Sequence, residues 1–225
     1  LIDARYVMKL PNDVSSELAA AIILKGLTDA YLIHDSFRVE SGHAVLFHAA
    51  AGGVGLIAGQ WLNALGAKVI GTAGGADKCA LAKANGYHHV IDYKSADFEA
   101  EVMQLTDGKG VDVTYDSVGN DTMARSLTST RRHGTIIAFG QSSGPYLDFK
   151  ITDLAKGSYK LSRPTLFHFV AEREWLETNA KKLFTAVTDG TLNISINQKY
   201  RLEDVAKAHD ALTGRATTGS TILTV

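Results

Sequence analysis

The sequence predicts an α/β domain built on a doubly wound parallel sheet, and three observations carry that expectation. Short β-branched runs alternate with amphipathic stretches of helical length between residues 44 and 139, the order expected of βαβ units. Those runs lack strict polar alternation, which suits strands covered on both faces. One turn also stands out. Val45 to Gly55 (VLFHAAAGGVG) leads from an apolar run through small residues and glycines into Leu56-Ile57-Ala58-Gly59-Gln60-Trp61-Leu62. That is the pattern of a buried strand, a tight turn and a helix.

The elements follow in order. Residues 6–10 read as a strand closed by Pro11-Asn12-Asp13. Ser15 and Ser16 are placed to cap a helix beginning near Glu17, and Gly26 punctuates that helix before Thr28-Asp29-Ala30-Tyr31 continues it. Strands are then expected at 44–47, 68–72, 89–92, 111–115 and 135–139, and helices at 54–65, 77–85, 96–106 and 121–127. After Gly144-Pro145 the pattern changes. Ser158 to Ser162 reads as a strand, a long helix runs from about Val170 to Asp189, a second spans 203–213, and a strand closes the chain at 220–225.

A chain of 225 residues makes one large domain or one and a half, burying roughly 70% of its unfolded surface. With 45% hydrophobic and 21% charged residues, it reads as an ordinary soluble globular protein. Net charge is −1 with Lys and Arg scattered, so no nucleic-acid or acidic-membrane footprint is expected. Arg131-Arg132-His133 is the one basic cluster and reads as a solvated turn. The longest apolar stretch, 18–33, is interrupted by Lys25 and Asp29, which argues against a membrane span. Cys79 is the sole cysteine; no intrachain disulfide can form, and a cytoplasmic, reducing location is expected. The chain begins Leu-Ile-Asp without Met and reads as a fragment or a processed form.

Gly52, Gly53 and Gly55 remove side chains that would hold a ligand off the backbone. The amide groups and dipole of the following helix then favour an anion such as a pyrophosphate, so a dinucleotide is expected. Ala50 departs from the fingerprint, which has its first Gly there. The second strand ends Gly71-Thr72-Ala73-Gly74-Gly75, without the acid that holds the ribose 2′-hydroxyl of NAD. Lys78 follows in the first turn of a helix, where a cation is disfavoured unless an anion is near. NADP is therefore expected over NAD; the competing reading of Lys78 is a solvated side chain beside Asp77.

Two more strand ends should line the crevice, Tyr115-Asp116-Ser117-Val118-Gly119 and Phe139-Gly140-Gln141-Ser142. Ser117 and Ser142 serve equally well as turn or cap residues. Tyr93, just past the third strand, is placed to pack on the adenosine. Other chemistries find little support: no G-x-x-x-x-G-K-[ST] loop occurs. The histidines lack zinc spacing with Cys or Glu. His48, beside the glycine turn, is expected to be a hydrogen-bonded structural residue.

LKGLTDAY (Leu24–Tyr31), LFHAAAGGVGLIAGQW (Leu46–Trp61), ALGAKVIGT (Ala64–Thr72), VTYDSVG (Val113–Gly119), SRPTL (Ser162–Leu166) and GRATTGSTIL (Gly214–Leu223) recur in order and spacing. In them the chain resembles the zinc-independent quinone oxidoreductases, relatives of ζ-crystallin in the medium-chain dehydrogenase/reductase superfamily. Ala50 is normal in that family. The resemblance implies a Rossmann sheet with remnants of a GroES-like substrate domain. Residues 1–21 would be a remnant of that domain, 22–164 the NADP-binding domain, and 165–225 a return into the substrate domain.

It further implies NADPH-dependent hydride transfer to a quinone or other electron-poor acceptor, without metal. An alkene reductase acting on enones, enals or acrylates, and a non-catalytic NADPH-binding protein, are the alternatives. By position Thr28, Gly52, Gly53, Val54, Lys78, Tyr93, Ser117, Phe139, Gly140, Gln141, Ser142 and Arg215 would contact the cofactor. Zinc-dependent relatives carry a Cys ligand roughly where Lys25 stands. Homodimers are implied through the edge strand Ser158 to Ser162. Family members carry roughly a hundred residues, one domain's worth, before the position of Leu1. Catalytic residues would lie mostly there, and none is assigned.

Overall fold

The computed structural model describes residues 2–214 and 216–225. A capped helix, α1 (Ser16–Ala30), opens the ordered core; the Ser15 hydroxyl accepts the Leu18 amide at 3.2 Å, as its position predicts. The main sheet holds β1 (Ala44–Phe47), β2 (Lys68–Ala73), β3 (His89–Asp92), β4 (Val111–Asp116), β5 (Thr130–Ala138) and β6 (Lys160–Ser162). All pair in parallel, in the spatial order β3-β2-β1-β4-β5-β6. The order reverses between β1 and β4, which defines a doubly wound sheet with its crevice at that switch.

Helices α2 (Gly53–Ala64), α3 (Ala76–Lys83), α4 (Phe98–Leu105) and α5 (Met123–Ser129) make the crossovers. With both faces covered, strand residues on either side are inside: Val45, Leu46, Phe47, Val113, Tyr115, Ile136 and Ile137 are at most 1% exposed. Each such side chain contributes about 1.5–3 kcal/mol through burial. The expected α/β fold is present.

α1 runs on into a π-helical turn, Tyr31–Ser36. Tyr115 donates its hydroxyl to the Leu32 carbonyl at 3.1 Å, and the Trp175 indole donates to Asp35 at 2.9 Å. Beyond the sheet lie α6 (Leu166–Val170), α7 (Arg173–Thr188), β7 (Ile196–Arg201), α8 (Val205–Thr213) and β8 (Ser220–Thr224). α7 packs on α1 where Gly26 leaves room for Leu183, and Tyr31 stacks on Phe169 with ring centroids 4.7 Å apart.

Several expectations change. Residues 6–10 form no strand: a 3-10 turn, Ala4–Tyr6, is followed by irregular chain. The Arg173 guanidinium takes the carbonyls of Arg5 and Val7 at 3.0 and 2.8 Å, so this backbone is satisfied by a side chain instead of a neighbouring strand. The long helix starts at Arg173, with α6 separate before it. The strand expected from Ser158 begins at Lys160, because Ser158 holds φ +51°, a left-handed conformation that breaks extension. β7 was not expected. Its residues alternate between half-buried and exposed, but Asn197, Gln198, Lys199 and Arg201 leave little apolar signal.

β7 pairs in parallel with β8, making a separate two-stranded sheet. The approach to β8 returns to the glycine turn: the Gly219 amide donates to the Ala51 carbonyl at 3.1 Å, and the Ser220 hydroxyl to Ala21 at 3.1 Å. Among the described residues no helix is long and apolar enough to cross a membrane.

Candidate functional site

A cleft of about 320 Å³ opens at the carboxyl ends of β1 to β4, where ligands of such sheets bind. Its floor and walls come from Ala49, Ala51 and Gly52 after β1, from Thr72, Ala73 and Gly74 at the end of β2, and from Lys78, Tyr93 and Phe98. Val118, Asp121, Thr122, Arg125, Ser142 and Thr217 complete it.

The glycine turn is tightly specified. The Ala50 amide donates to Thr72 and the Gly52 amide to Ala49, both at 2.9 Å. No side chain caps α2 at Gly52, so its first amides are left for an anion in the cleft. A Cβ on Gly55 would stand 2.6 Å from the Ala50 carbonyl oxygen, and one on Gly53 2.8 Å from that of Gly219. The methyl of Ala50 fits because Gly71 faces it; a Cβ there would lie 2.7 Å away. The departure from the glycine fingerprint is thus compensated on β2.

At the outer end, Tyr93 lies over Gly74, whose added Cβ would meet the Tyr93 ring at 2.8 Å, and Lys78 lines the same cleft. Asp92 is occupied by backbone: it accepts the Gly75 and Lys94 amides at 2.9 and 3.0 Å. Those hydrogen bonds, that of Gly75 foremost, hold its carboxyl below the usual carboxylate range. Arg125 stacks 4.0 Å above the Phe98 ring and pairs with Asp97 and Glu99.

The inner wall joins the ends of β4 and β5. The Ser142 amide donates to Ser117 at 3.1 Å, the Phe139 amide to Asp116 at 2.9 Å, and a Cβ on Gly140 would stand 2.6 Å from the Ser117 oxygen. Beneath the cleft lies a buried polar chain. His48 Nδ1 meets Thr72 Oγ1 at 2.9 Å and Nε2 meets Ser126 Oγ at 3.0 Å, while Ser126 donates to Asp116 at 2.6 Å. His48 is a hydrogen-bonded buried residue, as expected.

Of the residues expected at the cofactor, Gly52, Lys78, Tyr93 and Ser142 line the cleft directly. Gly53 and Val54 form the first turn of α2 beside it. Ser117, Phe139, Gly140 and Gln141 form the adjoining strand ends. Thr28 stands on α1, outside the cleft lining, its hydroxyl donated to Leu24 at 2.8 Å. Arg215 lies outside the described residues. Reading the sequence missed Thr72, Phe98, Arg125 and Thr217. Thr217 lies in the recurring GRATTGSTIL segment, whereas no local pattern joins Phe98 to Arg125 across α4 and α5.

Residues 53–180 match the family described as zinc-binding dehydrogenase. The chain is 43% identical over 218 residues to a quinone oxidoreductase of Pseudomonas aeruginosa, covering 96% of this chain and 67% of that protein. This chain belongs to the medium-chain dehydrogenase/reductase superfamily, within its quinone oxidoreductase group. It shares 40% identity over 227 residues with a 2-haloacrylate reductase of a Burkholderia species, covering 99% of this chain and 68% of that one. A solved Escherichia coli quinone oxidoreductase complexed with NADPH is similar with a TM-score of 0.94 and 43% identity, over 96% of this chain and 67% of that chain. The chain thus spans about two thirds of the length of the relatives it matches. Among the described residues no group of three or more His, Cys, Asp or Glu is placed to hold a metal ion.

Proposed function

We propose that this chain is the nucleotide-binding part of an NADPH-dependent reductase that delivers hydride to a quinone. The observation that carries the reading is the cleft itself: an uncapped helix start at Gly52–Gly53, with Lys78 and Tyr93 lining the same cleft, in a member of this family. Gly52, Gly53 and Val54 would hold the pyrophosphate on the α2 amides. Lys78 would hold the 2′-phosphate, and Tyr93 would pack on the adenosine. Ser117, Phe139, Gly140, Gln141, Ser142 and Thr28 would surround the nicotinamide end, and Arg215 would join them.

When bound, NADPH supplies the hydride. The protein's part is then orientation: the strand ends around Ser117 and Ser142 would hold the nicotinamide so that an acceptor lies flat against its open face. A quinone needs no metal to accept hydride, because its reduced anion is delocalised. We assign residues 22–164 to nucleotide binding, and 1–21 and 165–225 to a substrate domain. The open edge of β6 is the pairing surface of a homodimer, since an unpaired edge strand is otherwise a liability. The single thiol fits a cytoplasmic location.

A second reading, alkene reduction, draws on the 40% identity to a 2-haloacrylate reductase. Steady-state NADPH oxidation by the full-length protein decides between them. Faster turnover with 1,4-naphthoquinone than with 2-chloroacrylate or an enone is expected. The reverse order overturns the quinone assignment, and no turnover with any acceptor favours a non-catalytic NADPH-binding protein. Sedimentation at micromolar concentration is expected to give a dimer; a monomer removes the β6 pairing.

A further inference from the structure

The buried chain from Thr72 to Asp116 has a direction, and that direction is fixed by chemistry. Asp116 receives donors on both oxygens: the Val118 and Gly119 amides at 2.8 and 3.0 Å, the Thr122 hydroxyl at 2.8 and 2.9 Å, and Ser126 Oγ at 2.6 Å. Ser126 spends its one proton on Asp116, so its oxygen must accept from His48. His48 therefore carries its proton on Nε2. Its Nδ1 is then a lone pair, and Thr72, 2.9 Å away, must donate to it.

We infer that His48 is a positioning residue of the cofactor cleft: a neutral Nε2–H imidazole that locks the ends of β1, β2 and β4 into one wall. The inference rests on the cleft's being the NADPH site. Each end of the relay touches that cleft. Thr72 lines it from β2; Val118 and Thr122, held by Asp116, line it after β4; Ala49, adjacent to His48, lines it from the glycine turn with φ +56°. The Thr72 proton points inward, so its hydroxyl offers the cleft an acceptor only. Anion recognition is left to the α2 amides and the Lys78 side.

The groups facing the ring are Thr72 on β2, the Phe98 edge on α4 at 5.0 Å, Asp116 at the end of β4, and Ser126 with Arg125 on α5. His48 is 0% exposed, and burial, with help from the Arg125 charge, holds its pKa below the usual histidine value against the pull of Asp116. A protonated ring would need Nδ1–H to face Thr72 and would reverse that hydroxyl.

Two measurements test the relay. Imidazole ¹⁵N shifts of His48 in the wild-type chain are expected to show the Nε2–H tautomer, unchanged from pH 8 down to 6. An Nδ1–H tautomer, or titration within that range, overturns the proposal. NADPH titrations then compare three variants alongside their melting temperatures. His48→Leu, which keeps bulk and loses both hydrogen bonds, is expected to weaken NADPH binding about tenfold. His48→Gln, with one donor and one acceptor at similar spacing, should stay within about threefold. Leu127→Ala in the same α5 should lose stability with unchanged affinity. A purely structural role predicts that affinity is unmoved in all three, and that result overturns the proposal. Should His48→Leu not fold, Ser126→Ala, which cuts the link from His48 to Asp116, takes its place: weaker NADPH binding is expected, and unchanged affinity overturns the proposal. A wild-type chain that fails to bind NADPH refutes the functional reading instead, while the ring shifts still judge the relay.

Discussion

Asp29 is the side chain most at odds with its surroundings. It lies on α1 with 0% exposure, and neither carboxyl oxygen has a hydrogen-bond partner among the described residues. Burial pushes its pKa well above the ordinary 3.8. The folded chain therefore holds this proton more tightly than the unfolded one. The pH-dependent part of the cost vanishes below pH 3.8 and grows with pH until it levels off above the raised folded value. Asp29→Val, close in volume, is expected to stabilise the fold at neutral pH by about 1–3 kcal/mol, the usual cost of a buried unpaired polar group. The gain should shrink toward pH 4 in urea melts; a gain that is flat with pH would mean that Asp29 is paired. No local pattern marks this burial, since Asp29 is one of two charges that interrupt an apolar stretch. Lys78, Tyr93 and Ser142 are legible because each lies within five residues after a strand end, whereas Thr28 is reached only through resemblance.

At the scale of elements, local chemistry made the sheet readable and long-range contacts hid the rest. β1 and β3 occupy the residues expected, 44–47 and 89–92, because short apolar runs between glycine-rich or polar turns leave little freedom in their bounds. α5 lies two residues later than expected at both ends. Asp116 draws the Val118, Gly119 and Thr122 donors into a turn that delays the helix. β7 and the irregular chain at 7–10 depend on partners distant in sequence, β8 and Arg173, which no local pattern announces. The turn into α2 has little tolerance. Gly55→Ala places a methyl against the Ala50 carbonyl, a backbone atom that cannot step aside, and should cost at least about 2 kcal/mol. Thermal melts without nucleotide measure that cost directly; an unchanged midpoint would show that the turn relaxes freely.

For the whole molecule, the C-terminal return matters as much as the sheet. Gly219 bridges to Gly52, and Thr217 lines the cleft, so residues 217–219 help to wall the cleft. The fold was legible from alternation of strands and helices, and the cleft from one turn. The closing contribution of residues 217–219 was not, because its meaning lies in a contact with residues 51 and 52. We propose that this cleft selects NADPH through Lys78, in the first turn of α3 beyond β2. Fluorescence titration of the chain with NADPH and NADH, in the wild type and in Lys78→Ala, tests it most directly. The expected result is NADPH binding about tenfold tighter than NADH, as a charge-assisted contact supports, with the two affinities converging in Lys78→Ala. Equal affinities in the wild type, or a preference that survives the loss of Lys78, would contradict it.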